Sequence, residues 1–423
     1  MKKISRRFRH RPVFLAMSFF IALLWLAGCG KKDAPLPTPH PTWTPTAILA
    51  AATATTPPPT VTPMAATSPH TLYLPILRHP GRVALTSPLP SPTRPSLPLP
   101  TPTPTATPFP PGPPTKLGVF VGRNDPQLFD LLSTGNLAVV KTLEYDPNFV
   151  AEIKRVDPDV FLVARYTPLP HPDFNNWDPI AEARKFAELI LPIATESRRL
   201  AAIDCWESFN EPAIATEAQM ASYARFEAER TRLLAQAGVR SCIGNFSTGQ
   251  PPLELWPAFF PALEAAQQAG GYLALHEYSA PYLWFGSGAH QLNPQADEGD
   301  EGWLTLRYRK AYRQYLQPAG LDIPLVITET GVDGLVGNRP GPGEARGWQD
   351  FGAFWQAEGA VNNSVFGFYM EQLAWYDAEL QKDDYVIGAA IFALAAPTGW
   401  LSYEIGGPWL AIFKQYLAVH PPG

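Results

Sequence analysis

Cysteine is scarce in this chain: Cys29, Cys205 and Cys242 are the only three in 423 residues. That excludes a scaffold built on dense disulfides and a zinc site made of four thiolates. Histidine is sparse too, eight in all, and none stands at a metal-ligating spacing such as His-Glu-x-x-His. Neither a metal nor a cofactor is expected. Positive charge is missing where a nucleic-acid binder would need it. The formal net charge is −5, and removal of residues 1–28, with six basic side chains and no acid, takes it to −11. So acidic a remainder suits neither a phosphate backbone nor a polybasic membrane contact. No glycine-rich phosphate loop follows the first apolar run, which ends Val121-Gly122-Arg123-Asn124-Asp125. A doubly wound nucleotide-binding sheet usually carries one there.

What is present begins with a basic head, Lys2, Lys3, Arg6, Arg7, Arg9 and Arg11, followed by an apolar run from Val13 to Leu26. This is the layout of a secretory signal. Its last residues, Leu26-Ala27-Gly28-Cys29, resemble the bacterial lipobox. The resemblance implies cleavage before Cys29, a diacylglycerol on its sulfur, and an extracytoplasmic protein anchored by lipid to the cell membrane. An uncleaved anchor or an ordinary signal peptide would leave a similar run. In an oxidising compartment Cys205 and Cys242 can pair only if their Cβ atoms lie close. Two buried free thiols are the expectation.

Residues 29–115 form a Pro/Thr-rich linker. Positions 31–115 hold 25 of the 49 prolines, with alternations such as Pro100-Thr101-Pro102-Thr103-Pro104-Thr105. Such sequence has no apolar period to build a core and favours extended polyproline II. One apolar island, Thr71 to Leu77, interrupts it as a short strand or a docking segment.

From Lys116 the composition becomes that of a globular domain. Apolar runs at 117–122, 137–142, 160–166, 201–209, 239–245, 271–277, 323–329 and 386–393 read as strands. Helical spacing separates them at 179–198, 216–237, 253–269, 302–316 and 365–381. Eight strands alternating with helices imply a parallel (β/α)8 TIM barrel over 116–423, with its active site at the C-terminal strand ends.

Polar motifs stand at those ends. Asn210-Glu211-Pro212 closes the fourth run, His276-Glu277-Tyr278 the sixth, and Thr328-Glu329-Thr330-Gly331 the seventh. Two carboxyl groups facing one cavity are what glycosidic cleavage needs: one protonates the leaving oxygen, the other attacks or activates water. Alone, Asn-Glu-Pro could open a helix, with Asn as cap and Pro in the first turn. Together and in this order, the motifs resemble the glycoside hydrolase clan built on the eight-fold barrel, which includes cellulase-like enzymes. The resemblance implies a retaining double displacement, with Glu329 as nucleophile and Glu211 as acid and then base. It also implies that Asn210 binds the sugar 2-hydroxyl, that Tyr278 steadies ionised Glu329, and that His276 belongs to the site. Arg165 would support the nucleophile and Trp400 would stack beneath the sugar. Lys141 and Asn245 end strands two and five, where polar side chains would face the cavity; a turn residue is the plainer reading of Asn245. Trp206, Tyr282, Trp284, Trp303, Trp348 and Trp375 read as core or rim packing. The long loop 279–301, with its acidic run Asp297 to Glu301, is either a wall of the cleft or a solvated insertion.

The expected protein is a monomeric, surface-tethered glycosidase whose partners are an oligo- or polysaccharide and, through Cys29, a membrane. A non-catalytic carbohydrate-binding lipoprotein on the same barrel is the alternative, and an adhesive protein using the barrel as scaffold is a second. The barrel itself hosts many chemistries and does not decide.

Overall fold

A computed structural model describes residues 109–166, 169–288, 299–337, 339–362 and 364–422. The signal segment, Cys29, the linker up to residue 108 with its island at 71–77, and residues 289–298 of the long loop lie outside that range.

Eight parallel strands form the barrel: β1 (Leu117–Val121), β2 (Val139–Thr142), β3 (Phe161–Arg165), β4 (Cys205–Glu207), β5 (Cys242–Phe246), β6 (Tyr272–Ser279), β7 (Leu325–Val332) and β8 (Val386–Leu394). Ladders run from β4 through β3, β2, β1, β8, β7 and β6 to β5. Between β4 and β5 there is no ladder, only a single parallel bridge, Trp206 to Ser241. The helices are α1 (Pro126–Leu132), α2 (Pro147–Val156), α3 (Pro179–Ala194), α4 (Ser197–Ala202), α5 (Glu217–Gln236), α6 (Trp256–Gln268), α7 (Arg307–Ala311), α8 (Gly352–Ala357), α9 (Val365–Leu380) and α10 (Pro408–Ala418). Among the described residues no helix is long and apolar enough to cross a membrane.

The first three helices open alike. Asp125, Asp146 and Asp178 each cap free backbone N–H groups, and a proline follows at the first helical position. Proline is preset for that site because its missing N–H would have had no helical partner there. On α5, Thr216 and Gln219 form a reciprocal capping box.

Two apolar layers result. Most of the core lies between strands and helices. The barrel interior is filled by small side chains, among them Val139, Val163, Cys205, Cys242, Ala274, Val326 and Ala390. Two expectations need correction. The fourth strand is three residues long, because Ser197–Ala202 completes a helical turn capped by Glu196. Cys205 and Cys242 are not free thiols: their Cα atoms lie 5.5 Å apart and they form a disulfide. The last residues read as linker lie against the barrel. Phe109 packs edge-on against Tyr416 at 5.3 Å, and the Gly112 and Thr115 amides donate to the Val419 and His420 carbonyls.

Candidate active site

Glu211, His276 and Glu329 meet at the C-terminal mouth. One oxygen from each carboxylate and one imidazole nitrogen all lie within 4.8 Å of one another. The strand register explains the convergence. His276 on β6 pairs with Glu329 on β7, and Tyr278, two residues on, points the same way and reaches back. The Tyr278 hydroxyl donates to Glu329 Oε2 at 3.1 Å, and Arg165 Nη1 donates to Oε1 at 3.2 Å. His276 Nδ1 shares a hydrogen bond with Glu211 Oε1 at 2.8 Å and stands 3.6 Å from Glu329 Oε2. Gly331, at φ +150°, passes under Tyr369, whose hydroxyl would lie 2.9 Å from any Cβ.

The two carboxylates differ in exposure. The Glu211 side chain is 32% exposed, whereas that of Glu329 is 9% exposed. Burial opposes ionisation of Glu329. The positive charges of His276, Arg165 and Lys141 and the Tyr278 hydrogen bond outweigh it and hold the carboxyl below its usual range. Burial, then the charge of Glu329, drives the Tyr278 phenol well above its usual value, so it remains a donor.

Glu211 sits in a left-handed backbone conformation at φ +46°. Its N–H donates to the Asn245 carbonyl at 3.0 Å. Asn245 is itself left-handed, at φ +51°, beside a bulge in β5. Single non-glycine residues held there are uncommon and tend to mark functional sites.

The remaining sequence candidates divide. Asn210 accepts a hydrogen bond from Arg165 and is nearly buried beside the carboxylates. Trp400 lies at the mouth, its ring 5.6 Å from Phe392 and 5.2 Å from Tyr403. Lys141 is not at a sugar-binding surface. It is wholly buried, ion-paired with Glu207, and 5.6 Å from the Phe120 ring centre. Asn245 is wholly buried as well and acts on the site through its carbonyl.

Four residues were not singled out from sequence. Glu207 lies under the mouth, fully buried, between Lys141 and Arg165. Burial opposes its ionisation, but the charges of Lys141, Arg165 and His276 hold its carboxyl below the usual range. Its inward direction follows from alternation with Cys205. His171, after β3, packs on Phe209, and burial and then Arg165 lower its pKa. Phe392 ends the inner face of β8 with its ring centre 6.3 Å from that of Tyr278. Asp333, just past β7, accepts from the Tyr403 hydroxyl at 2.6 Å and the Leu335 amide at 2.8 Å. Glu404 clamps the turn after β8 by accepting from Ala395, Ala396 and Gly406 amides. Of the acidic run in the long loop, Asp300 and Glu301 are held by Arg313.

The only trio among the described residues with converging ligand atoms is Glu211, His276 and Glu329. Each of its converging atoms already has a hydrogen-bond partner within the site. One carboxylate is exposed and the other is buried and charge-stabilised, a pairing that can serve proton transfer and nucleophilic attack.

No protein-family model matches the chain, and no curated protein does. Solved structures do. An endo-β-1,3-glucanase of family GH128 from Pseudomonas viridiflava is 15% identical, with 73% of this chain and 98% of that one covered at a TM-score of 0.39. The Faecalibacterium prausnitzii β-glucuronidase is 13% identical, with 74% of this chain and 50% of that one covered at 0.41. The β-D-glucuronidase of Dictyoglomus thermophilum is 11% identical, with 73% and 51% covered at 0.45. The chain spans about half the length of these glucuronidases. The likeness is one of fold.

Proposed function

We propose that this protein is a retaining glycoside hydrolase that cleaves an extracellular glycan. One observation carries the reading: the Glu211 and Glu329 oxygens approach within 4.8 Å across the barrel mouth, in unlike surroundings. Retaining enzymes hold their carboxyls about 5–5.5 Å apart, whereas inverting ones leave room for a water at about 6.5–9.5 Å. Glu329, buried and held ionised by Arg165 and Tyr278, attacks the anomeric carbon and forms a glycosyl-enzyme. Glu211, exposed to the cleft, gives its proton to the departing oxygen and then takes one from the incoming water. His276, bonded to Glu211, orients that carboxyl. Asn210 faces the sugar from the same strand end. A protein that only bound glycan would need neither a buried charge-stabilised carboxylate nor a second one beside it.

In this reading the mature chain is a monomer tethered through a lipid on Cys29, and it takes an oligo- or polysaccharide as substrate. Cys29→Ser should then release the protein from membranes; a variant that stays bound identifies the apolar run as the anchor.

The decisive test is turnover of aryl β-glycosides by the wild type and by Glu329→Ala. The variant should lose at least about 10³-fold in kcat, and added azide should restore part of it by attacking the anomeric carbon in place of the missing carboxylate, giving an α-glycosyl azide of inverted configuration. Undiminished turnover in Glu329→Ala would end the assignment.

A further inference from the structure

The barrel has one unladdered seam, between β4 and β5, and Glu211 stands directly above it. Three side chains of α5 span this seam from outside. Arg230, fully buried, donates from Nη1 to the Trp206 carbonyl of β4 at 3.2 Å and from Nη2 to the Cys242 carbonyl of β5 at 2.9 Å. Glu227 holds Arg230 Nε at 2.7 Å and accepts from Ser208, which follows β4. The Tyr223 hydroxyl is 2.8 Å from Glu227 and 3.0 Å from the Gly244 carbonyl of β5. From inside the barrel, the Cys205–Cys242 disulfide joins the same two strands.

The attachments follow the chain to the catalytic end. On β4 they hold residues 205 and 206 and, just past it, 208; Glu211 comes three residues later. On β5 they hold residues 242 and 244; the next carbonyl, of Asn245, accepts the Glu211 amide. The direct contacts of Glu329 come instead from β3 and β6, so the seam reaches it only through the neighbours of Arg165 and His276.

We propose that Tyr223, Glu227 and Arg230, with the disulfide, are positioning residues for the acid/base Glu211 and not for the nucleophile. They replace the missing ladder, so the height and tilt of the β4 end are set from α5. The inference rests on the retaining reading above.

Double displacement allows a test that separates this role from simple support of the fold. The acid is needed in glycosylation only when the leaving group is poor. The probes are 2,4-dinitrophenyl and phenyl β-glycosides of glucose, galactose and glucuronic acid. The variants are Tyr223→Phe, which deletes one hydroxyl, and Cys205→Ser/Cys242→Ser, with Glu211→Ala as reference. For the seam variants, kcat/KM on the phenyl glycoside should fall roughly 10- to 100-fold. On the dinitrophenyl glycoside it should stay within about threefold, a smaller copy of the Glu211→Ala pattern, where the acid as a whole supplies roughly 10²–10⁴. Equal loss on both probes, or no loss on either, would overturn the inference while leaving the glycosidase reading in place if Glu211→Ala still discriminates. If Glu211→Ala does not discriminate, or the wild type cleaves no probe, the reading beneath falls and the inference with it.

Discussion

Residue by residue, the two carboxylates are told apart by their neighbours. Glu329 and Glu211 have the same side chain, but only Glu329 touches both a guanidinium and a phenol. Its pKa lies below the usual value, so its folded-state ionisation persists as pH falls past about 4.3. On the proposed mechanism Glu329 attacks in its ionised form, and activity should therefore be lost only below that pH. The same depression contributes stability that is present above the unfolded pKa and lost as pH falls through the folded one. Arg165→Gln should move the acid limb of kcat/KM upward and cost roughly 10- to 100-fold at neutral pH. A pH–rate profile of the variant checks this, and an unmoved limb would remove Arg165 from the electrostatics of Glu329. Asn210, Glu211 and Glu329 were legible in sequence because each is a polar residue closing an apolar run. Glu207 was not, since a single acid inside an apolar run reveals its direction only once the strand's limits are known. The disulfide was not legible either. The sequence places residues 205 and 242 in neighbouring strands, but does not bring them within the 5.5 Å at which they pair.

Alternation along β6 does two jobs at once. His276 and Tyr278 face the mouth, and Glu277 between them faces the helix layer. There it accepts from the Leu306 and Tyr308 amides at the start of α7 and from the Tyr376 hydroxyl of α9, at 2.7–2.9 Å. Burial pushes its pKa up to about 7, with those hydrogen bonds opposing. A carboxyl raised on folding holds its proton longer in the native state. Its contribution to stability therefore falls as pH rises from about 4.3 towards 7, and is flat above that. Thermal melts at pH 5, 6, 7 and 8 should show this slope in the wild type and a flatter one in Glu277→Gln; parallel curves would mean that Glu277 is ionised throughout. The alternating strands and helices were readable because parallel strands buried on both faces appear as continuous apolar runs. The fourth strand was overcalled for the same reason: Leu200-Ala201-Ala202-Ile203 is apolar enough for a strand, yet its first residues finish a helical turn.

For the molecule as a whole, the seam makes the disulfide a larger contributor to stability than its place in a 423-residue chain suggests. It closes a loop with a sequence separation of 37, for which chain entropy alone gives about 4 kcal/mol. Cys205→Ser/Cys242→Ser should lower the midpoint of chemical unfolding accordingly, and reductant should do the same to the wild type once the core opens. Unchanged midpoints would mean that Arg230 and its partners suffice. The packing of Phe109 and Gly112 against residues 416 and 419 has a further consequence. The chain enters β1 at its N-terminal end, and in a parallel barrel that is the floor, opposite Glu211 and Glu329. Phe109, the first described residue, therefore lies at the underside of the barrel. A bulky fusion joined directly ahead of Phe109 should therefore leave the entrance above Glu211 and Glu329 clear.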